Sequence, residues 1–261
     1  MEKQPPEEAT APDRLDRSEA VYAALFGPRD AGAPDTDPEF GRILRTYIFG
    51  DLFALGDLDH RTRELITITA LAALQALPQL RAHLDAALRV GVQPVEAREA
   101  IYQLAPFLGF PRTLNALGVL NEVLAARGVP LPLPAQATTT DADRYDRGRE
   151  LQASLYGSRM ADSLAALPEP FADAVPRLLT EWAFGDFATR DGLNTATREL
   201  LILCALATLG LEPQVRSHVA GALAAGNALE TVLAALAHLS GYAGFPAAVN
   251  AIRIVAEQRR G

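Results

Sequence analysis

The chain contains one segment twice, and this repeat limits what the sequence can fold into. Residues 61–84 (RTRELITITALAALQALPQLRAHL) align with residues 196–219 after a shift of 135 positions, and 12 of the 24 aligned residues are identical. The same shift pairs GFPRTLNA with GFPAAVNA, and one Phe-Gly-Asp triplet with another. Because the similarity extends over most of a small domain, it indicates a duplicated module. We predict two units at 15–127 and 145–259, joined by an exposed linker at 128–144 that is rich in Pro, Thr and Asp.

The pattern within each unit predicts helices. The run LITITALAAL is apolar on every face, which is typical of a buried central helix, although its β-branched residues would also suit a strand. Its length and its alanine content favour the helix. Pro78 begins the next helix, Gly91 follows its end, and one further helix is predicted from Pro94 to Leu108. We therefore predict an all-α fold in which the two units pack together as a pseudo-dimer within one chain.

Charge and composition restrict the partners and the location of the chain. The formal net charge is -8 and no run of Lys or Arg is present, so we expect neither nucleic acid nor an anionic membrane surface as a partner. The longest apolar run has about a dozen residues, whereas a membrane-spanning helix needs roughly 20. The polar, Pro-rich start does not resemble a signal peptide, and the single cysteine, Cys204, has no partner for an internal disulfide. We expect a cytoplasmic protein.

Four residues that recur in the two units are candidates for chemistry. Glu64 and His83 correspond to Glu199 and His218, and 18 residues separate the acid from the histidine each time. Such a histidine could serve as a general acid or base, because imidazole titrates near neutrality. It could also be a core-edge residue bonded to a backbone carbonyl. The glutamate could be a carboxylate at the mouth of a dry pocket, or a first-turn acid that complements the helix dipole.

Arginines and aromatic residues near these acids are candidates for substrate binding. Arg63 and Arg198 could clamp a substrate carboxylate, or they could be surface groups. Three aromatic residues lie just ahead of the glutamate-bearing helices, where they would belong to the core or line a pocket: Phe49, Trp182 and Phe184. No His-x-x-x-His or similar spacing indicates a metal site, so we predict no metal. For Cys204 we expect an inert, buried thiol.

Taken together, these segments resemble the carboxymuconolactone decarboxylase family, within the alkylhydroperoxidase D-like superfamily. The resemblance is carried by TEWAFGDFATRDGLNTATREL, by the spacing of Glu and His, and by the pair FLGFPRTLNA and YAGFPAAVNA. It covers most of both units and implies that each is an alkylhydroperoxidase D-like helical unit. It also implies a decarboxylase that works without a cofactor on a small carboxylated lactone in aromatic-compound breakdown. The family reaction turns 4-carboxymuconolactone into an enol-lactone.

The resemblance also implies roles for the recurring residues. Four arginines become candidates for binding the substrate carboxylates: Arg63, Arg81, Arg198 and Arg216. One of the two recurring histidines would protonate the carbon that CO2 leaves, and the paired glutamate would orient that histidine or share its proton. Single-unit members of the family assemble as oligomers, so we expect this chain to form a trimer of two-unit chains. The sequence leaves open which unit is active and which lactone is the substrate.

Two other functions are compatible with the same segments. The peroxidase branch of the superfamily carries a Cys-x-x-Cys between the glutamate and the histidine, and its cysteines would fall at Ala76 and Gln79, or at Leu211 and Gln214. A thiol peroxidase needs one thiolate to attack the peroxide and a second thiol to resolve the product. Because both thiols are missing from both units, peroxide reduction is disfavoured. The other alternative is a non-catalytic oligomeric scaffold or binding protein.

We predict that the purified chain consumes no peroxide above the blank when a dithiol reductant is supplied, because it has neither the attacking nor the resolving thiol. Peroxide consumption, measured beside a reaction that contains reductant and no protein, checks this expectation. Sustained, protein-dependent turnover of the peroxide would contradict the argument from the missing cysteines and would restore the peroxidase alternative.

Overall fold

The computed structural model describes residues 13–29, 36–157, 164 and 166–258, and every regular element within them is a helix. The helices of the first unit are α1 (Arg14–Phe26), α2 (Pro38–Arg45), α3 (His60–Leu74), α4 (Leu77–Arg89), α5 (Pro94–Tyr102), α6 (Ala105–Leu108) and α7 (Phe110–Ala126). A π-helical turn, Thr46–Asp51, and a 3₁₀ turn, Leu52–Ala54, lie between α2 and α3.

The second unit repeats this order of helices, except that a 3₁₀ turn stands where the first unit has α6. Its helices are α8 (Arg144–Tyr156), α9 (Phe171–Leu179), α10 (Thr195–Thr208), α11 (Glu212–Ala224), α12 (Leu229–His238) and α13 (Phe245–Gln258). A π-helical turn, Thr180–Ala188, precedes α10, and a 3₁₀ turn, Leu239–Gly241, follows α12. The prediction of an all-α fold built from two tandem units is therefore confirmed.

Helices α3 and α10 form the centre of the molecule. Each begins at a side-chain cap, in which Asp59 or Asn194 accepts a hydrogen bond from the backbone N–H three residues later. Residues 63–73 of α3 and 198–208 of α10 are buried. The two helices pack against each other, and one continuous core contains apolar side chains of both units. Within the described residues, no helix is long enough and apolar enough to cross a membrane.

The prediction of one continuous helix from Pro94 to Leu108 is wrong, because the structure has two helices there, α5 and α6. Pro106 explains the break. A proline inside a helix has no N–H to donate, and its ring clashes with the carbonyl four residues earlier. That carbonyl belongs to Tyr102, where α5 ends. The chain after α5 contacts the second unit through two side chains, those of Gln103 and Phe107.

The Phe-Gly-Asp triplets hold the first helix of each unit in place. A Cβ atom at Gly50 would come within 2.7 Å of the backbone oxygen of Arg14, so only glycine permits this approach of α1. The adjacent Asp51 pairs with the Arg14 side chain at 2.6 Å. In the second unit Gly185 and Asp186 make the same two contacts with the first residue of α8. Both helices are therefore fixed against the π-helical turns.

Helices α2 and α9 expose apolar faces at equivalent positions of the two units. None of the residues of either helix is buried. The exposed large apolar side chains are Phe40, Ile43 and Leu44 on α2, and Phe171, Val175 and Leu178 on α9. On α9 they recur at intervals of four and three residues, which places them on one side of the helix.

The segment between α7 and α8 lies along the surface and is hydrogen-bonded to both units. Arg98 of the first unit donates to the carbonyl oxygens of Leu133 and Pro134. Thr139 donates to the carbonyl oxygen of Gly185 in the second unit. These contacts hold the connection in place, although most of its residues are exposed.

Candidate active site

Glu64 and His83 are brought together between α3 and α4. His83 Nδ1 lies 2.9 Å from Glu64 Oε2. The Glu64 side chain is fully buried, whereas 12% of the His83 side chain is exposed. Because a carboxylate only accepts hydrogen bonds, Nδ1 carries the hydrogen and Nε2 is left for proton transfer. The imidazole therefore bonds to a carboxylate, rather than to a backbone carbonyl. Glu64 lies in α3 beyond the first turn, so it is not a first-turn acid.

The second unit has the same pair with one addition. His218 Nδ1 lies 3.1 Å from Glu199 Oε2. The hydroxyl of Tyr156, at the end of α8, donates to the same carboxylate oxygen and lies 2.7 Å from His218 Nδ1. Burial and the negative charge of Glu199 raise the pKa of Tyr156, so its phenol stays neutral. A phenol therefore bridges the acid and the imidazole in this unit.

An aromatic ring from the other unit completes each pair. Tyr242, which follows α12, meets the His83 ring edge to face with a centroid distance of 5.5 Å. Phe107 meets the His218 ring in the same way, also at 5.5 Å. Neither pair is therefore enclosed by its own unit alone. We define site 1 as Glu64, His83, Phe26 and Tyr242, and site 2 as Glu199, His218, Tyr156 and Phe107.

The ring that each unit places on its own histidine differs by one hydroxyl. Phe26 lies 5.3 Å from the His83 ring in site 1, and Tyr156 lies 5.2 Å from the His218 ring in site 2. A Cβ atom at Gly221 would come within 2.4 Å of the Tyr156 hydroxyl, so glycine makes room for it. Site 1 has alanine at the equivalent position, residue 86. Phenylalanine with alanine and tyrosine with glycine are thus two matched packing solutions.

Arg63 and Arg198 are occupied by contacts within the protein. The five N–H groups of the buried Arg63 donate to His238 Nδ1 and to the carbonyl oxygens of Leu52, Leu55, Gly56 and Leu58. Arg198 donates to the carbonyl oxygens of residues 190, 191 and 193 and to the side chains of Glu99 and Gln103. Each guanidinium fixes the loop ahead of its helix. All five N–H groups of Arg63 are used, so Arg63 has no donor left for the predicted carboxylate clamp, and Arg198 is likewise buried and bonded within the protein.

Arg81 and Arg216 lie on the surface, away from the histidines that follow them. Each precedes its histidine by two positions, and residues two apart do not face the same side of a helix. Arg81 pairs with Glu122 on α7, and Arg216 lies 2.7 Å from Glu257 on α13, with both pairs exposed. The structure does not bring these two predicted substrate-binding residues into the sites.

Two of the three predicted aromatic residues do not touch a histidine, but they pack on the aromatic rings that do. Phe49 is buried and packs on Phe26 at 5.8 Å, and Phe184 packs on Tyr156 at 5.9 Å. Trp182 instead contacts a phenylalanine at the start of α7, at 5.4 Å. Phe49 and Phe184 therefore back the rings that lie on the imidazoles, whereas Trp182 packs at the contact between the units.

His238 reaches site 1 from the second unit, and the sequence analysis did not identify it. It is buried, with Nε2 3.0 Å from Thr67 Oγ1 and Nδ1 accepting from Arg63 at 3.4 Å. Its ring packs on Tyr242 at 5.2 Å. Burial, with the positive charge of Arg63 as the next cause, lowers the pKa of His238 to about 3. The equivalent residue of the first unit is Gln103.

Tyr156 and Tyr242 were also missed as site residues. The repeat alignment pairs them with Phe26 and Phe107, so each pair differs by a single hydroxyl. That difference between the copies was the available signal. The alignment alone does not show that all four rings lie on a histidine, because two of the four contacts join different units.

A cavity of about 640 Å³ lies between α1 and α2. Tyr22 lines this cavity and also packs on Phe26 at 5.1 Å, so the cavity lies two rings away from His83. The basic residues that line it are Arg29, Arg42 and Arg45. Arg29 and Arg42 therefore lie near site 1, at positions that the sequence analysis did not select.

The positions of the missing cysteines lie at the start of α4, where Ala76 caps the helix and Gln79 is in its first turn. Gln79 is one turn ahead of His83. The cysteine of the chain, Cys204, is fully buried in α10, and burial raises the pKa of its thiol. The described residues contain no group of three His, Cys, Asp or Glu side chains arranged to hold a metal ion.

Comparison with known families identifies the class to which this duplicated helical fold and its Glu–His pairs belong. The carboxymuconolactone decarboxylase family matches residues 38–122 and, a second time, residues 173–257. The two matches cover more than half of the chain and fall one in each unit. The chain therefore belongs to the carboxymuconolactone decarboxylase family, as a tandem two-unit member.

Individual relatives are distant. A 4-carboxymuconolactone decarboxylase from Acinetobacter baylyi is 28% identical over 118 residues, which are 45% of this chain and 87% of that protein. A nitrosuccinic acid decarboxylase from Metarhizium robertsii is 26% identical over 46% of this chain and 85% of its own length. Peroxisomal protein 2 of Schizosaccharomyces pombe is 29% identical over 53% of this chain, and the match spans 64% of that protein.

A solved structure from Burkholderia xenovorans, described as a candidate gamma-carboxymuconolactone decarboxylase subunit, has the same fold. It matches with a TM-score of 0.53 and 22% identity, and the match covers 95% of this chain and 98% of that one. The fold is therefore shared over nearly the whole chain. This likeness concerns the fold alone.

We predict that His238→Gln weakens the fall of the free energy of unfolding as the pH decreases below about 6.5. The folded chain keeps His238 neutral down to about pH 3, whereas the unfolded chain binds the proton near pH 6.5. Between these values the unfolded state holds one more proton, so acid lowers the free energy of unfolding, with a slope of up to about 1.4 kcal/mol per pH unit from this residue. Urea unfolding at several pH values measures it, and parallel wild-type and variant curves would contradict the assignment.

Proposed function

We propose that the chain is a cofactor-independent carboxy-lyase that acts on a small carboxylated lactone, in aromatic-compound breakdown or a related pathway. The observation that carries this proposal is the pair formed by the buried Glu64 and the partly buried His83, 2.9 Å apart, with alanine and glutamine where the peroxidase branch has its thiols. Membership of the family and the two decarboxylases among the relatives support a carboxy-lyase.

The proposed reaction exchanges a carboxylate for a proton. The bond between a ring carbon and the departing carboxylate breaks, CO2 leaves, and the electron pair remains as an enolate conjugated with the lactone carbonyl. A doubly protonated histidine then donates the proton on Nε2 to the carbon. The paired glutamate stabilises the imidazolium through Nδ1 and keeps its orientation. Solvent returns the proton to the imidazole, so that no oxidant, reductant or cofactor is consumed.

A substrate that keeps a second carboxylate needs a cation to bind it. Arg63 and Arg198 are buried and bonded within the protein, and the other two predicted arginines are in surface pairs. A candidate for this role is the cavity between α1 and α2, which Arg29 and Arg42 line and which the rings of Tyr22 and Phe26 separate from His83.

The test is a screen of γ-lactone carboxylic acids for CO2 release by the full chain. Replacing both candidate histidines, as His83→Ala with His218→Ala, should lower kcat by about 10²–10⁴-fold, which is the usual contribution of a positioned general acid. His60→Ala is the matched control, because His60 at the start of α3 belongs to neither pair. This control variant should keep the wild-type rate.

Two results would overturn the lyase. If the double variant keeps the wild-type rate on a lactone acid, the histidines are not the proton donors. If the wild type neither converts any lactone acid nor gains thermal stability from one, the non-catalytic scaffold or binding protein becomes the better account.

We also propose that the chain self-associates, as a trimer of two-unit chains, through the apolar faces of α2 and α9. The support is that neither helix buries a residue within the chain, while each exposes at least three large apolar side chains. Exposed apolar surface of this kind, at equivalent places in two units, is typical of a protein–protein contact.

The expected solution mass is three times that of the chain, measured by light scattering after size exclusion. Ile43→Asp together with Leu178→Asp should dissociate the assembly, because each places a charge in a dry contact. Glu39→Asp, a polar replacement on α2, is the control and should leave the mass unchanged. A wild-type chain that is monomeric at micromolar concentration would contradict the proposal.

A further inference from the structure

The two sites differ in what their tyrosine hydroxyl does. Site 2 receives its hydroxyl from Tyr156 of the same unit, and this hydroxyl is bonded to both members of the Glu199–His218 pair. Site 1 receives its hydroxyl from Tyr242 of the other unit. The Tyr242 oxygen is buried, and its O–H has no partner of full hydrogen-bond geometry among the described residues. Burial raises its pKa, whereas the Thr67 side chain, which lies beside the oxygen as a hydrogen-bond donor to it, acts to lower the pKa.

Site 1 contains a second buried oxygen without a partner. Glu64 Oε2 bonds to His83, but Glu64 Oε1 makes no hydrogen bond with any described residue. Buried polar atoms are nearly always hydrogen-bonded in native proteins. Glu64 Oε1 and the Tyr242 oxygen are two exceptions beside the same imidazole, which suggests that a molecule binds between them. In site 2 the carboxylate oxygen that faces the histidine already receives two donors.

The neutral phenol of Tyr242 is suited to bind an oxygen anion. Burial and the negative charge of Glu64 raise the pKa of Tyr242, so the group keeps its hydrogen and donates it. A donor that is already in place, in a site that excludes water, stabilises negative charge that develops on an oxygen during reaction. In a decarboxylation that forms an enolate, the lactone carbonyl oxygen gains this charge.

We propose that the two units have divided their roles. Site 1 binds and converts the lactone, and Tyr242 of the second unit donates a hydrogen bond to the lactone carbonyl oxygen. In site 2 the hydroxyl of Tyr156 occupies the Glu199–His218 pair, so that this pair does not bind the lactone. The reaction is the one described above, and Tyr242 stabilises the enolate without gaining or losing a proton. The assignment of turnover to site 1 rests on the proposed lyase function, whereas the difference in ligand binding does not.

The binding difference is tested with paraconic acid, a saturated γ-lactone carboxylic acid, on the full chain carrying isotope-labelled histidine. Magnetic resonance signals of His83 and His218 are assigned from single His→Gln variants. Paraconic acid should shift the His83 signals and leave those of His218 in place. Tyr242→Phe should weaken the shift at His83 with little change in melting temperature, because Thr67, the side chain beside its hydroxyl, keeps its bond to His238.

The catalytic difference is tested with single variants on a lactone acid that the wild type converts. Tyr242→Phe should lower kcat by about 10²-fold, the usual effect of removing one donor to a developing oxyanion, with a smaller change in KM. The loss of kcat in His83→Ala should exceed the loss in His218→Ala. Tyr102→Phe removes the hydroxyl of a partly buried tyrosine outside both sites and should keep the wild-type kcat.

The results separate the two proposals. A shift at His83 alone, without turnover of any lactone acid, supports the division of roles and removes the lyase. Turnover with equal shifts at both histidines supports the lyase and overturns the division. Shifts at His218 alone, or at neither histidine up to the solubility limit of the acid, also overturn the division.

Discussion

The packing of α3 against α10 is the contact on which the rest of the structure depends. Each helix is apolar on nearly every side, and the helices of its own unit cover only part of that surface. Burying one against the other removes both from water and aligns the two units around a shared core. Two arginines and two glutamates near the helix starts are buried as well, and buried charges are stable only when they have partners.

Those partners explain why the units are interlocked. On one side of the pseudo-dimer, His238 of the second unit accepts from Arg63 of the first. On the other side, Glu99 of the first unit lies within 3.3 Å of Arg198 and within 2.8 Å of Arg190 in the second. Removing one member of such a buried pair typically costs about 3–5 kcal/mol, because the remaining charge stays buried. The linked units therefore behave as one folded body in which neither site can be assembled alone.

Duplication within one chain also allowed the copies to diverge at matched places. In a symmetric dimer of single units, both sites would carry the same rings. Here the hydroxyl sits on the ring from the same unit in site 2 and on the ring from the other unit in site 1. The exchange of alanine for glycine at Gly221 accompanies it, since the added hydroxyl needs that space. Such paired differences are expected when a packed core accepts only changes that conserve volume.

The sequence by itself determined the helical class and the two units, which follow from local periodicity and from the repeat. The repeat also selected each glutamate and histidine as candidates, whereas their pairing was an expectation from the family resemblance. The break before Pro106 was also readable from the proline and was overlooked. Only the tertiary structure decided that Arg63 holds a loop and that Tyr242 and His238 reach site 1. Those contacts join residues far apart in the chain, and packing across the pseudo-dimer, which no local pattern encodes, sets their distances.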